Sequence, residues 1–90
     1  MDDKDHFDFA LVVDVIPQSE EARWEEAVRA ASPEAGMRVT VRRPTVIVFA
    51  VEDIHELMAI EKAVQWLQGI AAGMTPPVEI KTNPQPTGEV

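Results

Sequence analysis

The chain reads as one α+β domain with element order βαββαβ, a four-stranded antiparallel sheet carrying both helices on one face. Three observations predict this. Residues Phe7 to Ile16 alternate with period two. Two segments repeat apolar residues at helical spacing, the first after Pro17 and the second after Asp53. Between them, two extended runs meet at Arg43–Pro44.

Strand one places Phe7, Phe9, Leu11, Val13 and Val15 on one face, against Asp8, Ala10, Val12, Asp14 and Ile16, and Pro17 ends it. Ser19 is positioned to cap the first helix, with Glu20 and Glu21 where its dipole favours anions. Trp24, Ala27, Val28 and Ala31 form its apolar stripe, and Glu25 pairs with Arg29 one turn on. The run "SPEAG", Ser32 to Gly36, breaks it. Met37, Val39 and Val41 then alternate with Arg38, Thr40 and Arg42, and strand three runs from Thr45 to Val51.

Asp53 with Glu56 reads as a capping box. Leu57, Ile60, Val64, Leu67 and Ala71 line one face of the second helix, with Gly73 as an αL cap before Pro76–Pro77. Strand four is Val78 to Thr82. The expected domain is residues 6–82, between a flexible acidic tail, 1–5, and a flexible proline-rich tail, 83–90.

This order resembles the ferredoxin-like split unit. The resemblance implies strands ordered 4-1-3-2, and a superfold does not fix a function.

Strand three does not alternate. Val46 to Val51 carry no charge, so both faces of a central strand are apolar while helices cover one. An even hairpin loop pairs Thr40 with Ile47 and Arg38 with Phe49, and directly paired residues share a face. The uncovered face then carries Val12, Arg38, Thr40, Arg42, Ile47, Phe49 and Val51, with Val39, Val41, Val46 and Val48 toward the helices. An odd loop exposes Val46, Val48 and Ala50 instead. In both cases the centre is apolar, and such patches mark interfaces. Trp66 sits off the Leu57/Val64/Ala71 stripe; it either packs near Trp24 or meets a partner.

Sixteen acids against eight bases give a formal net charge of −8, which repels phosphate backbones and favours a basic partner. Topologically similar RNA-recognition domains stack bases on aromatics of the central strands. Here Phe7 and Phe9 fall on the core face, so direct nucleic-acid binding is not expected. Cysteine is absent, which excludes disulfides and thiolate chemistry and suits a reducing, cytoplasmic setting. The acidic opening lacks the form of a signal peptide, and the charge-free run Ala63–Val78 is too short and broken to span a bilayer.

No catalytic, cofactor or metal residues emerge. "HELMA" at His55 has Ala59 where the zinc-protease helix requires its second histidine. His6 lies in an acidic segment without a metal-loop pattern, and the glycines are scattered. Ser19 and Ser32 have cap and turn explanations. The expected function is a small acidic non-enzymatic protein-interaction module. It would form a homodimer or bind a partner protein through the open sheet face, in the manner of an inhibitor or immunity-type protein. The alternative is a dimeric α+β-barrel enzyme or small-ligand sensor with an apolar pocket between sheets; an acidic mimic of nucleic acid is a third reading.

Overall fold

A computed structural model describes residues 5–89. Its elements are β1 (Asp5–Ile16), α1 (Glu21–Ala30), β2 (Met37–Arg43), β3 (Val46–Asp53), α2 (Glu56–Gly73) and β4 (Glu79–Gln85). Single 3-10 turns occupy Gln18–Glu20 and Thr87–Glu89. The sheet order is β2-β3-β1-β4, the expected order read from the other edge, with every neighbour antiparallel. Of the expected tails, residues 1–4 and Val90 lie outside the described residues. Asp5 already belongs to β1, opposite Asp53. β4 continues past Thr82 through Pro84, opposite Leu11. Proline is tolerated there because β4 is an edge strand.

One cluster of buried residues unites the sheet and helices. Phe9, Leu11, Val13 and Val15 of β1 meet Ile47, Phe49 and Val51 of β3, Trp24 and Val28 of α1, and α2. Phe9 and Phe49, directly opposite in the ladder, stack with centroids 5.7 Å apart. Trp24 is fully buried and its indole N–H donates to the Pro44 carbonyl at 3.1 Å, fastening α1 to the β2–β3 turn. The Glu25–Arg29 pair forms at 3.0 Å, and Arg29 also donates to the Val41 carbonyl of edge strand β2.

α2 buries a different stripe from the one its large residues suggest. Ala59, Ala63, Leu67 and Ala71, four residues apart, face the core. Alanine lets the helix axis approach the bulky Phe9/Phe49 pair, so small and large side chains interlock. Ile60 and Val64 are half-buried beside them, and Leu57 is exposed.

Both helix starts differ from expectation. Ser19 lies within the 3-10 turn, and α1 begins without a side-chain cap. Asp53 is the last residue of β3 rather than a cap, and α2 starts after His55 without a side-chain cap bond. The left-handed conformation expected at Gly73 occurs instead at Gly36, φ 77°, in the turn whose carbonyl accepts the Glu52 N–H.

The Asp53 carboxylate accepts the Ile54 N–H at 2.7 Å and faces the Lys62 ammonium at 3.4 Å. That backbone N–H above all, with Lys62 assisting against partial burial, holds its pKa below the ordinary 3.8. A lowered carboxylate pKa contributes stability above the unfolded value and loses it as pH falls through the folded one. Asp53→Asn therefore lowers the melting temperature at pH 7, and the gap to the native chain closes as the pH falls through and below the ordinary value of 3.8. Melting curves across that range check it; a gap unchanged by pH would contradict it.

Candidate interaction face

The orientation of β3 decides which residues the sheet shows to solvent. Phe9 opposes Phe49 and Leu11 opposes Ile47, and directly opposed residues share a face. Ile47, Phe49 and Val51 therefore turn inward, each fully buried, contrary to their expected place on the open face. The cause is local. The hairpin turn, Pro44–Thr45, does hold an even number of residues, and Arg43 opposes Val46. Next, however, Val41 opposes Ile47, so Arg42 is an extra residue, a bulge that shifts the register by one. β2 keeps its expected orientation, with Val39 and Val41 inward and Arg38 and Thr40 outward, while β3 turns over.

The uncovered face has an apolar centre of Val46, Val48 and Ala50 on β3 and Ala10 and Val12 on β1. Val12, Val48 and Ala50 are half-buried; Ala10 and Val46 are buried between neighbours yet lie outside the core cluster. Neither α1 nor α2 shields this side. Arg38 and Thr40 flank it on β2, and Asn83 and Gln85 flank it on β4, opposite Val12 and Ala10. Over Ala50 lies a shallow cavity of about 420 Å³, walled by Arg38 on β2, Asp8 and His6 on β1, and Glu52 on β3 itself. His6 Nε2 stands 3.9 Å from Glu52.

Of the expected contact residues, Val12, Arg38 and Thr40 occupy the open face. Arg42 is exposed in the bulge at its margin. Trp66 is on the helical side, half-buried, with its indole N–H donating to the Ser32 carbonyl at 3.2 Å and its ring edge-on to Phe49 at 6.0 Å. It closes the core beside the end of α1. Sequence reasoning assigned Val46 and Val48 to the core; only its odd-register alternative held them, with Ala50, on the open face.

Among the described residues, no group of three His, Asp or Glu side chains is placed to hold a metal ion, and every buried side-chain polar atom has a hydrogen-bond partner. No helix among them is long and apolar enough to cross a membrane. Compared with family models, curated proteins and solved structures, the chain finds no match.

Proposed function

We propose that this ferredoxin-like chain is a protein-interaction module that pairs with a second copy of itself, sheet face to sheet face. The observation that carries this reading is the self-complementary pattern of the open face. Consider a two-fold axis parallel to the strands, between β3 and β1. Rotation about it sets β3 over β1 and β2 over β4 of the second copy. With the ladder register of each sheet, this rotation would bring Val46 over Val12 and Val48 over the row of Ala10, the apolar middle of each face. Thr40 meets Gln85, and Arg43 meets Asn83. In the next row Ala50 meets Asp8, and Arg38, one strand aside, reaches that carboxylate. An isologous contact needs this reciprocity, and aligned sheets keep strand directions within about 30°.

Size-exclusion chromatography with light scattering tests it. The native chain is expected to elute as a dimer, and Val48→Asp as a folded monomer. Its two carboxylates would be desolvated at several kcal/mol each, raising Kd by at least about 100-fold. Arg38→Asp and Asp8→Arg each weaken the dimer, and the double exchange restores it. A native monomer at millimolar concentration, or a dimer unaffected by Val48→Asp, overturns the reading.

The charged cavity over Ala50 favours a second reading, a small zwitterionic ligand held between two such sheets. In that case dimerisation strengthens with free amino acids as probes, and Arg38→Ala removes the effect while leaving Val48-dependent pairing in place.

A further inference from the structure

The most exposed large apolar side chains lie elsewhere. Leu57 is 79% exposed, Ile54 58% and Met58 51%. They fall within one short stretch of the chain: Ile54 opens the β3–α2 connection, and Leu57 and Met58 stand three and four residues on, in the first turn of α2. Scattered exposed leucines need no explanation, but three large exposed apolar side chains gathered within one turn and its lead-in are the kind of feature that marks an interface. None of them supports the fold. The core-facing stripe of α2 is Ala59–Ala63–Leu67–Ala71, and the connection before it is held by the Asp53 carboxylate through the Ile54 N–H and Lys62.

The border of the patch is acidic. Glu56 lies between Ile54 and Leu57, and Glu61 stands one turn beyond Leu57 on the same outer side. Asp5 stands opposite Asp53 at the strand end behind it, whereas Glu52 turns to the sheet face beside His6. With Asp53 paired to Lys62, Glu56 and Glu61 remain in the first turns of α2 with Leu57 and Met58, and Asp5 stands at the adjoining strand end. Charge selects among the occupants. A second copy placed patch to patch would oppose Glu56 and Glu61 with their own counterparts, and like charges across an interface cost affinity. An anionic lipid surface would be repelled by a chain of net charge −8. A basic segment with apolar residues at helical spacing satisfies both parts of the surface.

We infer that the N-terminal turn of α2, through Ile54, Leu57 and Met58, is a docking site for a basic amphipathic helix of a partner protein. The site is separate from the sheet face, so a sheet-paired dimer would present two. Leucine-type anchors supply affinity in such helix-on-patch contacts, and lysines or arginines around them set orientation and encounter rate.

The probe is a synthetic amphipathic helix of about 20 residues with leucines at core heptad positions and lysines elsewhere. Two controls accompany it, one with glutamate for lysine and one with serine for leucine. Fluorescence anisotropy against the full chain reads binding. The Leu/Lys helix is expected to bind saturably and more weakly as salt rises. Leu57→Ser/Met58→Ser should weaken it at least about ten-fold, because apolar anchors dominate such contacts. Val48→Asp should leave it unchanged. Because Leu57 and Met58 are exposed, the double variant should melt like the native chain, which shows that lost binding is not lost folding. Absence of saturable binding, equal binding by the double variant, or equal binding of the Leu/Glu or Ser/Lys helix overturns the inference.

Discussion

Phe49→Asp unfolds the chain, whereas Val48→Asp, one residue earlier, leaves it folded. Phe49 is fully buried, stacked on Phe9 and touched edge-on by Trp66. Deleting a buried aromatic ring costs about 3–5 kcal/mol. Placing an unpaired carboxylate in the same space adds several more, less whatever its protonation recovers. Domains of this size have roughly 5–10 kcal/mol in total. The variant should show neither cooperative melting nor dispersed amide resonances. A cooperatively folded Phe49→Asp would mean that β3 faces the other way and that Arg42 is not an extra residue in the ladder.

Trp24→Ala produces the next largest loss. The indole is fully buried between α1 and the sheet, and its N–H is bonded to the Pro44 carbonyl. Truncation leaves a cavity and an unmatched carbonyl, for about 3–5 kcal/mol. At about 4–8 °C per kcal/mol, the melting temperature falls by about 12 °C or more. Trp24→Phe keeps most of the volume and loses the bond, so it falls between, at about 1–3 kcal/mol. Urea unfolding followed by circular dichroism measures both. Equal losses for the two variants would show that the Pro44 bond and not the packing dominates.

These two residues also mark what the amino-acid order reveals. β1 was legible because Phe7 to Ile16 keep period two, with the large apolar side chains on one side, and Trp24 with Val28 set the inner side of α1. Strand order followed from topology alone. The facing of β3 was not legible, because Arg42 looks like any alternating strand residue until its partner across the ladder is known. α2 misled through size: Leu57 outranks Ala59 on any hydropathy scale, yet Ala59 is fully buried in the core and Leu57 is 79% exposed. Asp53 followed by Glu56 has the spacing of a cap, but β3 extends to Asp53 and takes the carboxylate into its own turn. Of the interaction surface, Val12, Arg38 and Thr40 could be read because β1 and β2 kept their period. Val46, Val48 and Ala50 depended on the bulge.

The two rims of the sheet bear on how large any assembly can grow. On β2 the extra arginine interrupts the ladder, and Arg29 already occupies the Val41 carbonyl. On β4, Pro84 lacks an amide hydrogen. Strand-by-strand addition is thus obstructed at either end. Under the proposed sheet pairing, such a chain would satisfy its broad side once, with one mate, and then stop. That is the geometry of a finite particle, not of a growing filament.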